Sequence, residues 1–146
     1  MMRSVGMGIV CGILALAFIG CGGTPGEYRK PTSQVRGRVL VDGQPAEGLS
    51  ITCLSTTGMD REHPTTSGCL TSTDGRFAIS TYISGDGVPE GDYILTYQWG
   101  TLNVLTKSYD GDKLNGRYTE AAASPTKFTV KTGEPVDLGE IRLTTK

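Results

Sequence analysis

Two hydrophobic patterns divide the chain. Val5 to Ile19 runs without a charged or strongly polar side chain and reads as one short apolar helix. From Gln34 onward no stretch keeps helical spacing, and apolar residues recur at every second position, the period of a half-buried strand. In "QVRGRVLVDG", Val35, Gly37, Val39 and Val41 share one face, with Arg36, Arg38 and Leu40 on the other. The segment "DGQPAEG" then reads as a turn. In "LSITCLS", Leu49, Ile51 and Cys53 point inward while Ser50, Thr52 and Leu54 point outward. The polar stretch "TTGMDREHPTTSG" is broken by Gly58 and Pro64 and predicts a loop.

Further along, "CLTSTDGRFAISTY" predicts a hairpin: Cys69, Thr71 and Thr73 climb, Asp74-Gly75 turns, and Phe77, Ile79 and Thr81 descend. After the turn cluster "SGDGVPEG", the run "DYILTYQW" sets Tyr93, Leu95, Tyr97 and Trp99 on one side. Residues 100–126 have little periodicity and predict a long surface excursion with one short strand near Leu102 to Leu105. "TKFTVKTGE" brings Phe128 and Val130 inward. In "VDLGEIRL" the apolar phase slips between Val136/Leu138 and Ile141/Leu143, and a bulge near Gly139-Glu140 restores both pairs to the core. About seven strands with frequent turns predict an all-β fold, a seven-stranded antiparallel β-sandwich (prealbumin-like or Ig-like); a small barrel is the alternative.

The apolar run at the N-terminus has the layout of a secretory signal: one arginine, about fifteen apolar residues, then a small residue. At about 1.5 Å per residue it reaches only ~22 Å, short of a ~30 Å hydrocarbon layer. Phe18-Ile19-Gly20-Cys21 resembles a bacterial lipobox, with Phe18 where that pattern prefers Leu. The resemblance implies cleavage before Cys21 and acylation of its sulfur, and a lipoprotein cysteine carries the multiple chains that stable attachment requires. The expected division is a signal peptide over 1–20, a flexible tether over 21–33 and the sandwich over 34–146. An uncleaved anchor and a signal cut elsewhere remain as other readings of the same segment.

Composition narrows the function classes. Fourteen basic residues against fifteen acidic ones give no field that would draw nucleic acid, and the basic residues are dispersed. Twenty-one glycines suit brief strands joined by tight turns. No phosphate-cradling glycine loop or internal repeat is present in the sequence.

The segments "VRGRVLVDGQPAEGLSITCLS", "TSTDGRFAIS" and "VPEGDYILTYQW", in that order, resemble the carboxypeptidase regulatory-like (transthyretin-like) domain. The likeness extends to lipoproteins of planctomycete-type bacteria that carry this domain, whose C-terminal signature resembles "DKLNGRYTEAAASPTKFTV". Ser72 departs from the family, which commonly has a second acidic residue there. The resemblance spans residues 34–143 and implies a prealbumin-like sandwich with no catalytic residues and no cofactor.

Several side chains could carry chemistry. With Cys11 removed and Cys21 acylated, Cys53 and Cys69 remain in an oxidising compartment, both inward on strands flanking one loop. A disulfide between them would close about fifteen residues and contribute roughly 3 kcal/mol; two buried thiols filling core space is the other reading. His63, the one histidine, sits in a polar loop with no nucleophile-elbow pattern nearby and reads as a solvated loop residue. Asp86, Asp110 and Asp112 lie in glycine-rich loops where turn chemistry accounts for them, and the fixed offsets of a calcium loop are missing, so no metal site is expected. Tyr93, Tyr97 and Trp99 fit core packing, with Trp99 and Tyr109 as possible ligand-binding residues. Glu90, Asp92 and Glu120 show no spacing that would define a glycosidase pair. The expectation is therefore a non-enzymatic module of the cell envelope, periplasmic or outer-surface, held to the membrane through its N-terminal lipid. Its role is structural or partner-binding, toward an envelope protein or glycan; a carbohydrate-binding module is the alternative.

Overall fold

The computed structural model describes residues 28–106 and 108–146. The expected signal peptide, Cys21 and the tether through residue 27 lie outside the described residues. The described chain is all-β. Its strands are β1 (Thr32–Ser33), β2 (Val35–Val41), β3 (Gln44–Pro45), β4 (Ser50–Ser55), β5 (Ser67–Leu70) and β6 (Arg76–Ala78). Then come β7 (Val88–Pro89), β8 (Gly91–Gln98), β9 (Thr101–Asn103), β10 (Ser108–Asp110), β11 (Lys127–Val130) and β12 (Val136–Leu143). One sheet has the order β11-β8-β4-β5; the other is built on β2, with β12 along one edge and β3 and β6 pairing with it as well. The inward faces of both sheets supply one core.

The period-two pattern holds where it is clearest. Val35, Val39, Val41, Leu49, Ile51, Cys53, Leu95 and Tyr97 are buried, and Leu54 is exposed. Leu40, expected outward, is also covered, flanked by its cross-strand partners Arg142 and Pro45. The predicted bulge is present: the β12–β2 register shifts between Asp137 and Glu140, and Gly139 supplies the φ of +64° that the extra residue requires. Ile141 and Leu143 reach the core beyond it.

Three expectations need correction. The sandwich is not wholly antiparallel, because β12 runs parallel to β2. Both strands begin at the same end of the molecule: β11 finishes beside the start of β8, and the following turn delivers Val136 to Gln34, whose carbonyl accepts its N–H at 2.8 Å. The Asp74-Gly75 turn forms, but it joins β5 and β6 in different sheets and makes no simple hairpin. There the Thr71 hydroxyl, buried, bonds the Ala46 carbonyl and accepts Leu49 N–H at 2.8 Å, which turns the chain from one sheet to the other. The stretch 100–126 is also more organised than expected, with a β9–β10 hairpin and a turn that inserts the fully buried Leu114.

The tether differs as well. The sequence pattern leaves residues 28–33 free, but β1 pairs with β7 (Thr32 with Pro89, Ser33 with Val88), and the residues before it lie on the body. The loops over residues 56–66, 81–87 and 131–134 cluster at this end, since β4, β6 and β11 all finish there.

Candidate functional site

An open cleft of about 430 Å³ lies at that end, between the incoming chain, the loop after β4 and the segment after β6. Loop aspartates build its walls. The Asp60 carboxylate accepts the N–H groups of Glu62 at 2.9 Å and His63 at 3.1 Å, folding "DREH" into an Asx turn. The Asp86 carboxylate gathers the N–H groups of Thr81, Tyr82 and Ile83 at 2.7, 3.0 and 3.2 Å. The Thr81 hydroxyl joins that segment to the Gly87 carbonyl at 2.6 Å.

Three consecutive residues of the incoming chain each grip this frame. The Tyr28 ring stacks on His63, with centroids 4.0 Å apart and planes 24° from parallel. The Arg29 guanidinium stands 5.6 Å from the centre of the Tyr82 ring. Lys30 donates its backbone N–H to the Tyr82 hydroxyl at 3.1 Å, and its ammonium pairs with Asp60. The hydrogen bond from Lys30, reinforced by the N–H groups of His63 and Glu62, holds the Asp60 carboxyl down at about 2. The same bond to Asp60 raises Lys30. Aromatic rings, threonine hydroxyls and one charge of each sign line the cleft, a surface suited to weak polar contact.

Of the residues singled out in the sequence, only His63 and Asp86 come to this cleft. That histidine is exposed, as a loop histidine would be, but its ring carries Tyr28. Tyr93 and Tyr97 are core residues, and burial pushes the Tyr93 hydroxyl up to about 12. Trp99 is half-buried: its indole N–H donates to the Glu47 carbonyl at 2.9 Å, and the Lys113 ammonium sits 4.3 Å from its ring centre. Tyr109 falls within β10, and its side chain lies outside the described residues. Asp112 accepts N–H groups from Trp99, Leu114 and Gly116, each at 2.9 Å, and Asp110 accepts the Asn103 amide at 2.9 Å. These carboxylates organise loops. Among the described residues no three His, Cys, Asp or Glu side chains are grouped to hold a metal ion. Glu90 and Asp92 accept the hydroxyls of Thr132 and Thr129, at 2.9 and 2.5 Å, and Glu120 stands at the start of a 3₁₀ turn.

Cys53 and Cys69 are free thiols, so the expected disulfide is not formed. The register explains this: Cys69 stands opposite Ile51 and Cys53 opposite Ser67, a diagonal pair rather than a facing one. Burial pushes both thiols up to about 12.

Sequence reasoning missed Tyr28, Asp60 and Tyr82, and read Asp86 only as a turn residue. The signal for the first two was available: "EYRK" breaks sharply from the glycine-proline linker before it, and Asp60 precedes two residues placed to donate to it.

No family model and no curated protein matches the chain. Solved structures resemble it in fold. A 5-hydroxyisourate hydrolase from Klebsiella pneumoniae is 19% identical with a TM-score of 0.44, covering 78% of this chain and 91% of that one. A DUF3823 family protein from Parabacteroides merdae is 15% identical with a TM-score of 0.39, covering 80% of this chain and 46% of that one. A 9R-lipoxygenase from Cyanothece is also 15% identical, at 0.38, covering 84% of this chain but 18% of that one. This chain thus spans less than half the length of the second and third. The expectation that the chain is not an enzyme is corrected here, because one of the chains it resembles is named a hydrolase. The likeness is one of fold and assigns no activity.

Proposed function

We propose that the chain is a lipid-anchored module of the cell envelope, fixed at Cys21, which holds a β-sandwich close to the membrane and offers its far end to an envelope partner. The observation that carries this reading is the seating of Tyr28, Arg29 and Lys30 on the body. Only seven residue steps separate Tyr28 from the lipobox cysteine, so an acyl group at Cys21 would tether a body gripped at one end. At the opposite end the β9–β10 hairpin presents Val104 and Leu105, 78% and 91% exposed, on a tip pinned by the Asn103 side chain. Those two residues are the partner-facing element. The carbohydrate-binding alternative is not favoured, because Lys113 stands over the Trp99 ring on which a sugar would stack.

Metabolic labelling with a fatty acid tests the anchor. Wild-type protein is expected to take up label and the Cys21→Ser variant to lose it; unlabelled wild type would overturn the reading.

A further inference from the structure

Exposed large apolar side chains gather where the incoming chain meets the body. Tyr28, Met59 and Ile83 are 56%, 67% and 63% exposed. Backbone neighbours place them together: Met59 precedes Asp60, which holds Lys30, and Ile83 follows Tyr82, which carries Arg29 and the Lys30 N–H. We propose that this end of the sandwich, led by Tyr28, Met59 and Ile83, rests in the interfacial layer of the bilayer that holds the lipid anchor, so that the module is oriented on the membrane and not merely tied to it. The inference rests on acylation of Cys21.

Chain length selects the bilayer as the occupant. Seven residue steps from Cys21 to Tyr28 span at most about 25 Å even when fully extended. The far end stands one β8 length away, about 26 Å for eight residues. Tyrosine and large apolar side chains are the residues that seat a surface in the headgroup layer, about 5–10 Å deep. Charge contributes little. Arg29, Lys30 and Arg61 are offset at this end by Asp60, Glu62 and Asp86. The contact therefore draws on apolar burial and is insensitive to the anionic lipid fraction and to salt.

The test uses the full chain, purified and reconstituted into vesicles of phosphatidylethanolamine and phosphatidylglycerol, with and without nitroxide-labelled lipid. An environment-sensitive fluorophore is placed by Met59→Cys, Ile83→Cys or Leu105→Cys; all three positions are exposed, whereas Cys53 is buried and Cys69 half-buried, and the labelling of the chain without an added cysteine is subtracted. Lipid quenching at 59 and 83 is expected to exceed that at 105 about threefold, as a contact within the headgroup layer requires, at low and high salt alike. Equal quenching at all three positions overturns the inference, and so does quenching that salt abolishes. Mass measurement on the same samples separates the two failures. An acylated chain with equal quenching defeats the orientation alone, whereas an unacylated chain defeats the anchor reading and the orientation with it.

Discussion

Single side chains decide how the loops of this sandwich are built. Leu114 lies in a stretch without periodicity, yet it is fully buried because the Asp112 carboxylate collects the N–H groups of Leu114 itself and of Gly116. Periodicity marks regular elements, so an apolar residue delivered to the core by an Asx turn gives no such signal. Leu114→Ala is expected to cost about 2–5 kcal/mol, the range for a buried leucine whose site cannot collapse, read as a lowered urea midpoint with an unchanged slope. The cysteines make a second prediction. With both thiols raised to about 12 by burial and set diagonally, native protein at pH 8 is expected to resist alkylation. Unfolding without reductant should expose two reactive thiols at positions 53 and 69; finding none there would mean that the pair is bridged. The letters placed both cysteines inward, and they are inward. A one-pair offset in register, which no single strand encodes, decides whether they face each other.

Among the elements, β2, β4 and β8 were readable because each buries one face against the other sheet, so alternation is written into them. The β12 bulge was readable for a related reason: a phase slip of apolar residues has few other remedies. Partner choice was not readable. Alternation states which face is buried but not which edge pairs, so β5 and β6 looked like one hairpin although they belong to separate sheets. Nor did the letters reveal the two-residue ladder of β1 with β7, which secures the incoming chain. Gly87 permits that ladder. Its φ is +88°, and an added Cβ would lie 1.7 Å from the Ser33 carbonyl oxygen. Gly87→Ala must therefore displace β1, and the left-handed conformation alone costs on the order of 1–3 kcal/mol. Trypsin is expected to cleave after Arg29 faster in this variant than in wild type (Pro31 protects the bond after Lys30), while the core amides of β4 and β8 keep their exchange protection. Loss of protection throughout would show that β1 supports the whole fold and not only the chain entry.

For the whole molecule, what matters is how firmly the body is joined to the segment that precedes it, and that junction has an electrostatic component with a definite sign. Asp60 has its carboxyl lowered from 3.8 to about 2, first by the Lys30 hydrogen bond and then by the N–H groups of His63 and Glu62. A carboxyl that is more acidic when folded favours the docked state above its unfolded value, and the contribution disappears as pH falls through the folded one. The junction should therefore hold fully above about pH 4 and loosen between there and about pH 2. Because the pair is only half-buried, its attraction is partly screened and salt should weaken it. Carboxyl-carbon NMR of Asp60 is expected to titrate near 2, and the amide signals of Tyr28 to Lys30 should shift over the same range while those of Leu95 and Val39 stay fixed. In Asp60→Asn the Lys30 and Tyr28 signals should already resemble the low-pH form at neutral pH. A normal Asp60 midpoint near 4, or unchanged Tyr28 and Lys30 signals in the Asp60→Asn variant, would mean that the aromatic stack and the β1 ladder hold the junction without the ion pair.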